Sequence, residues 1–216
     1  MKILTPVIPS YLGATEDFLN LAKRHLYDDK PIEEMLIDKN IIEGEDLSKI
    51  EIRESVISSS TIINTLFENG TFIDMVFKNC NLSNSIFKNS YFERCSFISC
   101  KCTGANFSSV IMKNTEFKEC NLQYASLDDG SLNGVIIDAT DMTSSSISST
   151  TLKNFNIVNS SFVNTNFFKT RLKGIDFSSC QFINPIVSDT LSELKGISIN
   201  SYQAVDLMGL LNIKIK

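Results

Sequence analysis

The chain has 216 residues, with 20 Lys+Arg, 25 Asp+Glu, a net charge of −5, one His, no Trp and six Cys. That length suits one domain or one repeat array, and the acidic balance argues against direct nucleic-acid binding and against docking on anionic lipid. A single His leaves little room for His-rich metal sites or triad chemistry. No window holds eighteen consecutive apolar residues, and the first ten residues show no small-residue cleavage pattern. The expectation is therefore a cytoplasmic protein with no membrane segment.

Residues 1–36 read as an N-terminal cap segment. Pro6 and Pro9 make an extended start. Thr15 is placed to cap a helix over about 16–27, with Glu16 and Asp17 in its first turn and Phe18, Leu21, Ala22 and Leu26 on one face. That helix would cover the open end of whatever follows. His25 lies mid-helix with no partner in view, so a structural or solvent role is expected.

From Ile42 to Val187 every fifth residue is apolar, thirty positions in succession without a slip. At the chain's 43% apolar background the chance of this is roughly 10⁻¹¹. Twelve of the fifteen Phe lie on the series. Two residues before each centre the side chain is small, in twenty-one of the twenty-seven positions from Ser55 to Pro185. Two residues after each centre stands Asn, Gly or Asp, in seventeen of thirty. Those types tolerate the left-handed backbone of a tight turn.

A period of five matches neither helix nor alternating strand. It fits a chain that turns a corner every five residues; if four sides make a coil, the coil holds about twenty residues and coils stack at ~4.8 Å. Centre and small residue then point inward and the other three face solvent. Predicted columns include Leu47-Phe67-Phe87-Phe107-Leu127-Ile147-Phe167-Val187 and Ile57-Phe77-Phe97-Phe117-Ile137-Ile157-Phe177. The thirty centres make about seven and a half uninterrupted coils, a rod of roughly 36 Å with no projecting loop.

Cys80-Asn-Leu-Ser-Asn84, Ala105-Asn-Phe-Ser-Ser109 and Cys120-Asn-Leu-Gln-Tyr124 carry the alanine–aspartate/asparagine–leucine pattern. On these residues the segment 37–190 resembles the pentapeptide-repeat proteins. The resemblance implies an all-β fold, a right-handed quadrilateral parallel β-helix. Met75, Val110, Val135, Phe155, Ile175 and Pro185 depart from the small-residue column. Met75, Val135, Phe155 and Ile175 fall on one corner. They read either as a locally bulged edge or as a distorted face that a partner recognises.

Residues 191–216 leave the period. Residues 196–200 suggest a last side, Ser201 a cap, 202–211 a helix, and Ile213 and Ile215 an edge strand. The run from Leu172 through Ser201 to Lys216 resembles the C-terminal segment of the Qnr-like pentapeptide-repeat proteins of Gram-positive bacteria (Firmicutes). That resemblance implies a two-fold homodimer through Tyr202, Val205, Met208, Leu211, Ile213 and Ile215, with a capped monomer as the alternative.

Chemistry is sparse. All six Cys fall on inward positions, so Cys100-Lys-Cys102 reads as packing rather than as a metal pair. The carboxylate pairs Asp128/Asp129 and Glu116/Glu119 are expected on convex outer faces. No catalytic, cofactor-binding or metal residue is assigned, and no cofactor is expected. Function must then be surface recognition. The Qnr resemblance implies a DNA-mimicking rod that binds DNA gyrase, and in some members topoisomerase IV, and modulates fluoroquinolone susceptibility. Glu116, Glu119, Asp128, Asp129, Asp138 and Asp141 are the candidate partner-binding acids. The charge over residues 37–187 is only −3, and no side loop is predicted. A rigid protein-interaction scaffold with another partner therefore stands as the alternative.

Overall fold

The computed structural model describes residues 3–211. Its strands are β1 (Gly13–Thr15), β2 (Ile32–Glu33), β3 (Met35–Asp38), β4 (Ile41–Glu43), β5 (Glu51–Ser58), β6 (Thr61–Ile63), β7 (Thr71–Lys78), β8 (Tyr91–Ile98), β9 (Ile111–Lys118), β10 (Ser131–Asp138), β11 (Thr151–Val158), β12 (Ser161–Val163) and β13 (Gln181–Ile183). Two helices, α1 (Phe18–Tyr27) and α2 (Ser201–Met208), stand at the ends.

Every strand pair is parallel, and between the strands from β2 onward paired residues stand twenty places apart, as in Ile52↔Phe72 and Phe97↔Phe117. Corners come every five residues. From Glu34 to Gly174 each position ending in 4 or 9 has positive φ without exception. Five-residue sides joined by left-handed corners, returning after twenty residues, make a four-sided parallel β-solenoid, with the corners that the spacing predicts and the four sides that the pentapeptide-repeat resemblance implies. Long strands such as β8 run along the first and second sides of a coil, and short bridges such as Asn81↔Lys101 and Ile86↔Asn106 join the third and fourth.

Side centres and small residues form the core. Phe72, Phe92, Phe97, Phe107 and Phe117 are all almost wholly buried. The rings stack along the rod, Phe67 on Phe87 on Phe107 at 5.0 Å and Phe77 on Phe97 on Phe117 at 4.6 Å. Neighbouring columns meet edge-on, as Phe97 and Phe107 do at 84°. Both arrangements suit the ring quadrupole.

The small inward residues do more than fit. Ser85 Oγ donates to Ile62 O at 2.9 Å, Ser90 Oγ to Phe67 O at 2.7 Å and Thr170 Oγ1 to Ile147 O at 2.6 Å. Each therefore ties its coil to the centre of the coil before it. Among the described residues no buried side-chain polar atom lacks a partner. That is the condition for keeping so many hydroxyls in a core.

The stack runs beyond the thirty centres. β1 pairs with β3 at an offset of twenty-two, Gly13 against Met35, and Asp176 bridges Ser198 at the same offset. Two additional residues in each end turn break the five-residue period there, and the rod reaches about nine turns. Helix α1 covers its first coil with Phe18 and Ala22 fully buried. Its cap is Asp17 rather than Thr15. Asp17 Oδ1 accepts the Asn20 N–H at 2.9 Å, while Thr15 accepts only the Asp17 N–H outside the helix. His25 Nδ1 lies 2.9 Å from Pro31 O, beside the helix C-terminus.

Residues 4–12 run back along the outside of the rod as a strap over the corner between the first and second sides. Gly13 N donates to Glu34 O, Val7 N to Asp74 Oδ1 at 2.9 Å and Leu4 N to Asn114 Oδ1 at 3.3 Å. Beneath it Arg94 grips Asp74 through two bonds of 2.7 and 2.6 Å and also reaches Glu93. Burial alone would raise the Asp74 carboxyl. The bonds from Arg94 and Val7 and the Arg94 charge outweigh that and hold it below its ordinary value.

Arg94→Ala strands Asp74 as a buried charge and should cost about 3 kcal/mol. Protease cleavage within residues 4–12 should accelerate as the strap loosens. An unchanged melting temperature and cleavage rate would refute the role given to this pair.

Candidate functional site

The solenoid places chemistry-bearing side chains in two very different settings. Inside are the six cysteines, all buried and unpaired. Cys80, Cys100 and Cys120 stack on one corner column. Their thiols donate to Ile57 O, Phe77 O and Phe97 O at 3.3 to 3.4 Å, the role taken by serine and threonine elsewhere. The hydrogen bond to the Cys120 sulfur, with burial, pushes the Cys100 thiol up to about 12, and burial does the same for Cys95. Such thiols are packing groups. Among the described residues no three His, Cys, Asp or Glu side chains gather as a metal-ligating set. No described helix is long and apolar enough to cross a membrane.

Outside, the six candidate acids do not form one patch. Glu116 and Asp138 lie on the second side, Glu119 at the following corner and Asp141 at the start of the third. These four share one edge of the rod. Asp128 and Asp129 lie on the fourth side, across the core from the second. The sequence order that brings them near in number separates them by half a turn.

Asp128 is also occupied. Its carboxylate accepts from Ser126 Oγ at 2.8 Å, Ser146 Oγ at 2.5 Å, Ser148 N at 2.7 Å and Ser148 Oγ at 2.8 Å. It staples two coils together on the fourth side. Burial would raise its carboxyl, but the bonds from Ser146, Ser148 and Ser126 outweigh that and lower it. Asp141 accepts from Gln123 Nε2 at 2.6 Å and Thr143 N at 2.9 Å, and Glu119 from Ser99 Oγ at 3.2 Å. Asp129, exposed at its corner, is the freest of the six.

Charge varies along the rod more than around it. Residues 1–60 carry −5, residues 61–150 carry −3 and residues 151–216 carry +3. The basic end gathers Lys169, Arg171, Lys173 and Lys195 around an open groove of about 560 Å³. None of the four pairs with a described acid. Glu193 lies in the same groove with its carboxylate turned to Lys169 N and to Ser188 N and Oγ.

At that end Asn200, not Ser201, caps α2. Asn200 Oδ1 accepts from Tyr202 N and Gln203 N, and Gln203 Oε1 accepts from Asn200 N, which completes a capping box. Gln203 Nε2 then donates to Phe177 O and Cys180 O, docking the helix on the last coil. Gln203 and Leu207 are the buried residues of α2; Tyr202 and Val205 are exposed and Met208 is half-buried. Ile213, Ile215 and the side chain of Leu211 lie outside the described residues.

Comparison with known proteins agrees with this architecture. Residues 90–167 match the family model described as the pentapeptide repeat region. The fold is a pentapeptide-repeat β-solenoid. No curated protein matches the chain. Among solved structures it is similar to a trypsin-treated variant of QnrB1, a plasmid-mediated fluoroquinolone resistance protein. The identity is 18%, with 84% of this chain and 99% of that one covered, and the TM-score is 0.52. It is similar also to HetL, a pentapeptide repeat protein involved in heterocyst differentiation regulation from the cyanobacterium Nostoc sp. strain PCC 7120. There the identity is 12%, with 85% and 97% covered, and the TM-score is 0.60. At these identities the likeness is one of fold.

Because Asp128 is lowered in the solenoid, its contribution is fully present above the unfolded carboxylate value of about 3.9, declines below it, and is lost as pH falls through the lower folded value. Asp128→Ala should cost about 1 to 2 kcal/mol at pH 7. The difference from the parent should shrink as thermal melts are taken from pH 7 down to pH 3. A difference that stays constant over that range would contradict the staple.

Proposed function

We propose that this chain is a non-catalytic, cytoplasmic interaction rod whose partner is a type II topoisomerase, DNA gyrase in the first place and topoisomerase IV in the second, met by mimicry of the DNA duplex. The observation that carries the reading is the rod itself. From Ile32 to Val158 every coil pairs with its neighbour at twenty residues, and residues 1–150 carry a net −8. A stiff negative rod suits a basic groove built for duplex DNA. Its encounter rate should be raised by long-range charge and lowered by salt. The likeness in fold to QnrB1 supports this reading. The edge bearing Glu116, Glu119, Asp138 and Asp141 is the contact assigned, with Asp129 on the opposite side, and susceptibility to fluoroquinolones is the property it would alter.

A second reading rests on a specific observation. Lys78, Lys118 and Lys101 are interspersed with those acids, so no side of the rod is of one sign. A rigid scaffold for a different protein partner needs no such uniformity, and the likeness to HetL suits it equally.

The deciding experiment is a gyrase supercoiling assay with ciprofloxacin, titrated with purified protein at low and high salt. Rescue in drug, or inhibition without it, that weakens at high salt is expected. Lys replacement of Glu116, Glu119, Asp138 and Asp141 should abolish the effect. No effect at any dose leaves the scaffold reading.

We further assign the C-terminal segment to a homodimer through Tyr202, Val205, Met208, Leu211, Ile213 and Ile215. The outward position of Tyr202 and Val205 on a docked helix supports it. Light scattering should give twice the chain mass. Tyr202→Asp with Val205→Asp should give a folded monomer. A full-length monomer at micromolar concentration would overturn the assignment.

A further inference from the structure

The ladder of the solenoid is broken at one place. On the fourth side of that coil Ser149 N donates to Phe168 O at 2.8 Å, and Thr150 N to Thr170 Oγ1 at 2.9 Å. On the third side Gln181 N donates to Ser160 O at 2.9 Å. Between these points, along the first and second sides, β11 makes no backbone hydrogen bond to the coil that follows. The large sheet ends at β11. Residues 172–177 pair instead with the last turn, Gly174 N to Gly196 O at 2.8 Å and Phe177 N to Ser198 O at 2.8 Å. In the earlier coils the first and second sides are laddered to the coil that follows, as β10 is to β11 with Leu132 opposite Leu152 and Ile137 opposite Ile157.

The cause lies in the sequence. The corner that holds Ser55, Cys95 and Thr115 in other coils holds Phe155 here, with Ile175 directly after it. A phenyl ring does not fit where a hydroxymethyl group does. At Met75, also bulky, the ladder with the next strand loses the single pair opposite Cys95, and at Val135 it loses none. At Phe155 it loses the whole of two sides. Leu152 and Phe155, whose counterparts Leu132 and Val135 are fully buried, are half-exposed. They line a cleft of about 180 Å³ with Arg171, Lys173 and Ile175. At its corner Gly174 has open space where a Cβ would stand. Arg171 and Lys173 also line the adjoining groove, so the two openings are continuous along the basic end of the rod.

The geometry points to a docking site for an extended acidic peptide, which adds its backbone to the free edge of β11, sets an apolar side chain against Leu152 and Phe155, and places carboxylates on Arg171 and Lys173. Three features converge on that occupant. An unpaired strand edge recruits a strand. The apolar floor takes one face of it. The flanking cations, unpaired among the described residues, select acids and disfavour bases. The alternation of side chains along a strand lets one short peptide meet both demands. The site is separate from the acidic edge proposed above and stands whichever partner that edge serves.

The test uses the full chain and two fluorescein-labelled ten-residue peptides, one alternating Glu with Val and Thr, the other Lys with the same residues. The Glu peptide should raise anisotropy with a micromolar dissociation constant, at least tenfold tighter than the Lys peptide. Hydrogen exchange by NMR should find the Leu152, Asn154 and Ile157 amides fast in the free protein, unlike those of Leu132 and Ile137, and slowed at least tenfold at saturating peptide. Phe155→Ser should slow the same amides without peptide and weaken binding at least tenfold. The exposed double variant Arg171→Glu/Lys173→Glu, which keeps the core intact, should abolish binding even if Phe155→Ser misfolds. Amides already slow in the free protein, no binding of the Glu peptide at millimolar concentration, binding without amide protection, or binding indifferent to the double variant would each overturn the proposal.

Discussion

Everything in this molecule depends on a left-handed corner every fifth residue. An L-residue with a side chain is held in that conformation at a cost of roughly 1 to 2 kcal/mol relative to right-handed backbone. Asn, Gly and Asp lower the cost, yet Tyr124, Glu119, Arg94 and Lys169 sit at corners with the same φ. The coil can impose this because the corner amides are themselves ladder donors, Asn64 N to Ser83 O and Tyr124 N to Thr143 O among them. A corner that relaxed would release a backbone bond as well as a turn. The corners also fix everything downstream: the length of each side, the inward direction of two residues in five, and the twenty-residue return that stacks like upon like.

Stacking makes the core a set of columns rather than a set of pairs, so each residue is judged by its neighbours one coil up and one coil down. Phe87 lies between Phe67 and Phe107, and one ring fits because the adjacent rings have already set the spacing. The small column is governed differently. Ser, Thr and Cys interchange along it because each can donate one hydrogen to a carbonyl of the preceding coil, as Ser85, Thr150 and Cys80 do. Alanine satisfies the space but not that bond. The column thus carries both a size limit and a polar preference, and Phe155 violates both at once.

The repetitive part of this architecture was legible because it is repetitive. Thirty apolar centres announce the coil, and the small residues and turn-formers before and after them announce its interior and its corners. The unread parts share one property, that no period carries them. Asp17 and Asn200 displace Thr15 and Ser201 as caps by side-chain geometry that a shift of one or two residues decides. The strap over Asp74 joins Leu4 to Asn114 across more than a hundred residues of sequence. The two extra residues in the end turns hide the first and last coils from a five-residue count. The acids of the candidate surface were grouped by number, whereas a twenty-residue coil sends Asp128 and Asp138 to opposite sides. The bulky corner column was visible from the sequence. That one of its members opens the ladder, while Met75 costs a single pair, follows only from the bonds.

A fold this regular separates what it requires from what it leaves free. Two residues in five are bound to the core and one to the corner, so function has the outward positions and whatever irregularity the core admits. The charge is graded along the chain, net acidic over residues 1–150 and net basic over residues 151–216. The one large irregularity falls within that basic part. An opening bordered by Phe155 in the acidic half would have offered an unpaired edge to basic strands; set beside Arg171 and Lys173 it discriminates the other way. The gradient and the break therefore act together. The long acidic flank and the short basic cleft present opposite charges to solvent, so the two proposed contacts would select chemically distinct partners without either requiring the solenoid to move.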